Sequence, residues 1–339
     1  MKRRLPAEWE KQDGVLITWP DIHTDWAYIL NEVEECYLNV AKSIAEYEKL
    51  VVVSLKNEDL KRKFNEKKIN LNNVLFFEFN YNDTWARDFG PITLETSLGF
   101  ELLDFTFNGW GLKFASNFDN QLTRKLFEAG LFKNSQIRTL NFVLEGGSIE
   151  TNGKGILLTT ENCLLSPNRN PEFTKIEIEK KLKDYLGINK VLWIKNGHLI
   201  GDDTDSHIDT LARFVNENTI VYVAPPEDRE DPHYEGLKKM EEEFLSLRKD
   251  FNIIPLPFAP AIFEDNDRLP STYANFLIIN NAVLLPTYGD KVKDEKAISI
   301  INEVFSDRKV IPINSIPLIM QHGSIHCITM QLPQGILNI

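Results

Sequence analysis

The sequence has little cysteine, no long apolar run and a shortage of positive charge, and each lack excludes something. Its three cysteines in 339 residues, Cys36, Cys163 and Cys327, are odd in number and far apart. That speaks against a disulfide framework or a clustered zinc site and suits a reducing cytoplasm, the expected location. No stretch reaches membrane-spanning length without a charge, so no membrane partner is expected. The opening MKRRLPAEWEKQDG is basic at first but lacks the apolar segment of a secretory signal. Lys and Arg number 38 against 50 Asp and Glu, a formal net charge of −12. Nucleic acid needs a basic footprint and is not an expected partner, whereas a cation is favoured. Linkers rich in Pro, Gly or Ser are missing too, so residues 1–339 are expected to form a single domain. The 42% of hydrophobic residues supply ample material for its core.

What is present is a repeat of elements rather than of letters. Four stretches have the alternation and turn residues of β-hairpins. They are 89–107, turning near Ser97 to Gly99; 147–160, turning at Asn152-Gly153; 210–224, turning at Asn216 to Asn218; and 273–288, turning at Asn280-Asn281. A helical pattern and then a strand-like run follow each one. At the N-terminus the strand GVLITWP precedes a long amphipathic helix and the strand LVVVSL. The chain thus reads as strand, strand, helix, strand about five times, an array with a long period. The run 325–332 is expected to be a strand that pairs with the N-terminal one and closes the arrangement. An open α/β sheet with hairpin insertions also fits this order.

The unusual residues fall at one recurrent place, the polar stretch after each third strand. These stretches are NDTWARDFGP (82–91), LEGGSIE (144–150), GHLIGDDTDSHIDT (197–210), RLPSTYAN (268–275) and QHGSIHC (321–327). In a closed repeat, equivalent loops converge on the axis and line one pocket. The acidic loop with Asp202, Asp203, Asp205, His207 and Asp209 lacks the glycine and final glutamate of an EF-hand. It is either a solvated acidic loop or a source of acid/base chemistry. His207 and Asp209 alternate into a strand and should share a side, as an acid/base pair would. Trp85, Arg87 and Asp88 share one loop, and Glu145 precedes two glycines that allow close backbone approach. RLPSTYAN suggests no chemistry. A metal held by His322, His326 and Cys327 is disfavoured, because successive strand residues point to opposite faces.

Cys36 and Cys163 lie in apolar patterns and read as packing residues. Cys327 follows HGSIH in the converging set, where a histidine and backbone N–H groups are available to activate a thiolate. One thiol, one histidine and several carboxylates suit a cation attacked at carbon. A guanidinium, planar and forked, matches carboxylates bidentately.

NDTWARDFGP, LEGGSIE, GDDTDSHIDTLARF, YANFLIIN and HGSIHCITMQLP, in this order over nearly the whole chain, resemble the agmatine deiminase family of the guanidino-group-modifying superfamily, related to the peptidylarginine deiminases. The resemblance implies a five-fold pseudo-symmetric α/β propeller of ββαβ units. It also implies hydrolysis of agmatine to N-carbamoylputrescine and ammonia, in polyamine (putrescine) biosynthesis, without metal or organic cofactor. Carried over, Cys327 matches the nucleophile, His207 the general acid/base, and Asp88 and Asp209 the carboxylates that grip the guanidinium. Trp85, Glu145 and Asp203 match further substrate-binding positions. The family's glycine-rich stretch and Asn before IHC are replaced here by QHGS, which puts the contacts of that loop in question. A deiminase of free or peptidyl arginine is the near alternative, with Arg87 or Arg213 receiving the substrate's anionic end. A non-catalytic polyamine-binding protein and a metal-dependent amidinohydrolase are the others. A homodimer is the symmetry-based default.

Overall fold

Parallel strands cannot be joined by a tight turn, so a hairpin followed by a parallel strand needs a crossover element between them. A computed structural model, describing residues 3–339, shows that arrangement five times in a mixed α/β fold of several small sheets. Strands Ile92–Thr96 and Gly99–Thr106 pair antiparallel, and Ser135–Val143 lies parallel to the second. The same holds for Ile149–Thr151, Ile156–Thr160 and Lys190–Ile194. It holds again for Ala212–Asn216, Thr219–Val223 and Asn252–Leu256, and for Leu277–Ile279, Ala282–Thr287 and Lys309–Asn314. The fifth set joins distant parts of the chain. Thr329–Pro333 pairs antiparallel with Gln12–Thr18, with Met330 opposite Leu16, and Lys49–Ser54 lies parallel to the latter.

The crossover helices form where the apolar spacing predicts them. Lys175–Leu186 begins at a capping box, in which Thr174 and Glu177 satisfy each other's backbone N–H groups. It ends at Gly187, whose φ of 68° lets the chain turn away. Along Leu30–Tyr47, Val33, Cys36, Tyr37, Val40, Ala41 and Ile44 are buried, so Cys36 is the packing residue expected. Gly14 sits where any side chain would collide with the Lys49 carbonyl, 2.2 Å from an ideal Cβ, which keeps these two parallel strands close.

Three features depart from the sequence reading. A further helix, Asn57–Glu66, and strand, Val74–Glu78, extend the sheet shared by both ends of the chain. This helix is mostly charged and buries only Asn57, Leu60 and Phe64, too sparse a pattern to stand out. A small hairpin, Ile262–Glu264 with Asp267–Leu269, is inserted, and its second strand takes up the start of 268–275. The closing strand starts at Thr329 rather than 325, because Ile325 to Ile328 form a turn in which Ile328 N–H donates to Ser324 O at 3.4 Å. Cys327 therefore stands on a turn, not on a strand. No helix among the described residues is long and apolar enough to cross a membrane.

Candidate active site

The five polar stretches meet. Arg87 N–H donates to Cys327 O at 3.1 Å, joining the first to the last, and Gly147 N–H donates to Asp88 Oδ1 at 2.8 Å. Asn275 Nδ2 donates to Asp209 O at 3.3 Å, and its Oδ1 accepts from the backbone N–H groups of His326 and Cys327 at 3.0 and 3.3 Å. RLPSTYAN, which suggested no chemistry, thus supplies a side chain that touches Cys327, whose Sγ lies 3.4 Å from Asn275 Oδ1.

Asp88 is carried on a one-turn helix, Ala86–Phe89, and both of its oxygens are oriented. Oδ1 takes the Gly147 N–H, and Oδ2 takes the indole N–H of Trp110 at 2.9 Å. Trp110 was not singled out in the sequence. Its one signal is a bulky residue between two glycines in NGWG, where it holds φ at 55°. His207 caps a 3-10 turn, Ile208–Thr210, and Asp209 lies within it, so the two do not alternate along a strand. Asp205 and Ser206, at φ 65° and 69°, reverse the loop first, and Asp202 accepts the N–H of Ser206 at 2.7 Å. The two side chains still reach one spot. An ideal Cβ on Gly147 would lie 2.6 Å from His207 Nδ1, 2.9 Å from Asp88 Oδ1 and 3.1 Å from Asp209 Oδ2. His207 Nδ1 is 3.7 Å from Asp88 Oδ1, and Cys327 Sγ is 3.9 Å from Asp209 Oδ2.

Burial and mutual charge set the titration of this cluster. Burial raises Asp88 to about 6, with His207 opposing the shift. Burial alone would lower His207, but the Asp88 carboxylate, then Cys163 and Glu145, outweigh it and raise the imidazole well above its usual range. Asp209 is held low: burial works to raise it, and the hydrogen bond and charge of His326 overcome that. Cys327 is pushed well up by burial and by Asp209 and Asp88. The resting thiol is thus protonated beside a protonated histidine, and a cation arriving between the carboxylates would lower the cost of ionising it.

Above the cluster opens a narrow pocket. Cys327, Asp88, Trp85 and Trp110 line it, with Asp25, Asp83, Asp202 and Asp203 around it. Burial, then Asp202, raises Asp203, while burial together with Asp25 raises Asp83 to about 7. Of the seven residues singled out, Trp85, Asp88, Asp203 and Cys327 line the pocket, while His207 and Asp209 are fully buried beneath it. Glu145 is not in the lining. Both its oxygens accept from Arg169 Nε, at 2.9 and 3.0 Å, and neither side chain is exposed. Cys163, read as packing, lies against His207: the ligand-capable atoms of Glu145, Cys163 and His207 fall within 4.8 Å of one another. With both Glu145 oxygens committed to Arg169 this set is poorly suited to holding an ion, and both ring nitrogens of His207 are without a hydrogen-bond partner among the described residues.

The QHGS departure resolves locally. Gly323 is retained where it matters, because an ideal Cβ there would be 2.1 Å from the Trp85 ring. His322 adopts φ 67°, a conformation that glycine takes more easily. Arg87 and Arg213, the candidates for an anionic substrate end, are both withdrawn. Arg87 donates to Gln331 Oε1 and His326 O, and Arg213 to Glu8, Glu150 and Phe276 O.

A mixed α/β fold of repeated small sheets, with one thiol, one histidine and two carboxylates gathered under an acidic mouth, is that of the guanidino-group-modifying proteins. Within that class, this chain belongs to the Porphyromonas-type peptidyl-arginine deiminase family, whose model matches residues 4–333. An agmatine deiminase of Pseudomonas aeruginosa is 31% identical, with 97% of this chain and 95% of the relative covered. The structure of a cysteine-to-serine variant of the C. jejuni agmatine deiminase, with substrate bound, is 38% identical with a TM-score of 0.92, covering 98% of this chain and 97% of that one. A Porphyromonas gingivalis structure, provisionally described as an arginine deiminase, is 48% identical with a TM-score of 0.93, covering 99% and 100%.

Proposed function

We propose that this chain hydrolyses agmatine to N-carbamoylputrescine and ammonia, as an agmatine deiminase on a route to putrescine. The observation that carries the reading is the buried meeting of Cys327, His207, Asp88 and Asp209 beneath a mouth that, among the described residues, holds four further aspartates and no lysine or arginine. Such a mouth favours a substrate whose far end is an ammonium over one that ends in a carboxylate. Curated relatives named agmatine deiminase cover nearly the whole chain. The C. jejuni variant holds its substrate without the cysteine sulfur, as expected where a thiol is needed for turnover rather than for binding. The five matching sheets read as blades of a five-fold pseudo-symmetric propeller, one catalytic domain over 1–339, whose axis the five loops surround. Three free cysteines suit a reducing cytoplasm.

In this scheme Asp88 and Asp209 grip the guanidinium, and the charge they share with it permits Cys327 to ionise, its proton leaving to solvent while His207 keeps its own. The thiolate attacks the guanidinium carbon, forming a C–S bond and a tetrahedral adduct. His207 gives its proton to the departing nitrogen, which leaves as ammonia, and an amidino-thioether remains on Cys327. The same histidine, now neutral, takes a proton from water as its oxygen attacks that carbon. Collapse of the second adduct breaks the C–S bond, passes the hydroxyl proton to the departing thiolate and releases the ureido product. The carboxylates bind charge in ground and transition states alike, so their catalytic value is orientation. Trp85 packs beside the substrate's chain or cation, a contact worth ~0.5–2 kcal/mol. Glu145 acts behind His207 rather than on the substrate, and no metal or organic cofactor takes part.

Ammonia release measured side by side on agmatine, L-arginine and a blocked arginine peptide tests the reading. Agmatine is expected to lead, Cys327→Ala to abolish release, and a chelator to leave it unchanged. Preference for either arginine substrate would move the assignment to the near alternative, and binding without turnover would make the chain a polyamine-binding protein.

A further inference from the structure

The Asp209 carboxylate is held by a chain of contacts that starts at the far end of the sequence. His326 Nδ1 lies 2.7 Å from Asp209 Oδ2, and its Nε2 lies 2.7 Å from Glu8 Oε2. With a carboxylate at each ring nitrogen, the imidazole satisfies both only by donating from both. Glu8 is 5% exposed and is itself fixed by three donors: His326 Nε2, Arg213 Nη2 at 2.8 Å and Ile278 N–H at 2.8 Å. Its backbone sits in a tight turn closed by Glu10 N–H on Ala7 O at 3.1 Å. At the other end, His326 occupies Oδ2 of Asp209 and so fixes the rotation of that carboxylate. Oδ1 remains buried with no hydrogen-bond partner among the described residues.

We propose that Glu8 is a positioning residue for the reaction: acting through His326, it fixes the rotation of the Asp209 carboxylate that takes the guanidinium. The inference rests on the proposed function, because it takes Asp209 as a carboxylate that grips the substrate. A carboxylate free to rotate would lose its alignment with a planar cation, and small misplacements of catalytic groups are costly. Asp88 is locked differently, by Gly147 N–H and the Trp110 indole, so loss of Glu8 should leave it in place. Glu8 belongs to no motif that drew attention in the sequence, and it lies 318 residues from its partner His326.

The experiment compares alkylation of Cys327 by cationic 2-chloroacetamidine and by neutral 2-chloroacetamide, beside agmatine turnover. The wild-type protein should prefer the amidine. Glu8→Gln should cut the amidine rate at least tenfold, change the amide rate less than about threefold, and reduce kcat/KM for agmatine in parallel. Should Glu8→Gln fail to fold, the His326 variants carry the test. His326→Asn keeps a donor for Asp209 and should retain most of the amidine preference, while His326→Leu should lose it. Adding Glu8→Gln to His326→Asn should then cost little more, because asparagine does not reach Glu8. An intact amidine preference in Glu8→Gln or in His326→Leu overturns the positioning role while leaving the function standing. Equal costs of Glu8→Gln in both backgrounds would reduce Glu8 to a structural partner of Arg213. A wild-type protein with neither amidine preference nor agmatine turnover refutes the proposed function, and this inference with it.

Discussion

Replacing Gly147 by alanine should disable the site with one methyl group. The new Cβ would lie 2.6 Å from His207 Nδ1, 2.9 Å from Asp88 Oδ1 and 3.1 Å from Asp209 Oδ2. Ordinary contacts at such a carbon begin near 3.4 Å. His207 must therefore withdraw by about 1 Å, a misplacement that costs on the order of 100-fold in rate. A loss of that size corresponds to about 2.7 kcal/mol of transition-state stabilisation. The backbone itself tolerates the change, since Gly147 does not hold a positive φ. Overpacking should cost ~1–3 kcal/mol of stability, leaving a folded protein to assay. Gly236→Ala is the control: its Cβ would meet nothing nearer than the His198 ring at 3.5 Å, so activity should be unchanged. Agmatine turnover followed by ammonia release, with thermal unfolding alongside, decides the matter. If Gly147→Ala keeps kcat/KM within threefold of wild type, the three groups do not converge on the reacting centre and the site must be redrawn.

Acid should weaken the enzyme through Asp88. Burial raises it to about 6, so kcat/KM for agmatine should fall below that pH as the gripping charge is lost, in a pH–rate profile on free enzyme. The linked effect on folding has the opposite sense. Both Asp88 and His207 bind their protons more tightly folded than unfolded, so their contribution to stability is present at low pH and is lost as pH rises through their folded values. Trp110→Phe removes the indole N–H from Asp88 Oδ2, which should move the acid limb to higher pH while leaving Cys327 alkylation by a neutral reagent unchanged. Arg169→Leu leaves Glu145 buried without its ion-pair partner. Denaturant unfolding should show a loss of about 3–5 kcal/mol, and an unchanged midpoint would refute the pairing.

The converging loops were legible because the repeat of strand, strand, helix, strand placed a polar stretch at the same point each time. That logic found Cys327, His207, Asp88 and Asp209 although they come from three separate loops. His207 and Asp209 were expected to meet as strand neighbours, and they meet instead because two left-handed residues turn the loop beneath them. Glu8, Arg169, Trp110 and Asn275 were not legible as site residues. Each acts through a contact fixed only by the folded arrangement, such as Arg169 on Glu145, and no local spacing announces it. Glu145 shows the converse. Its motif was readable, but the guanidinium that turns it away from the pocket was not.

The pairing of Thr329–Pro333 with Gln12–Thr18 bears on how activity is born during synthesis. Gln12–Thr18 emerges from the ribosome long before its antiparallel neighbour is made. Until then that edge has no partner and is open to wrong ones, the hazard that unpaired strand edges carry. Cys327, the proposed nucleophile, lies two residues ahead of the same late strand, so a nascent chain carries Asp88, His207 and Asp209 before it carries that sulfur. Sealing the edge and completing the chemistry are one event.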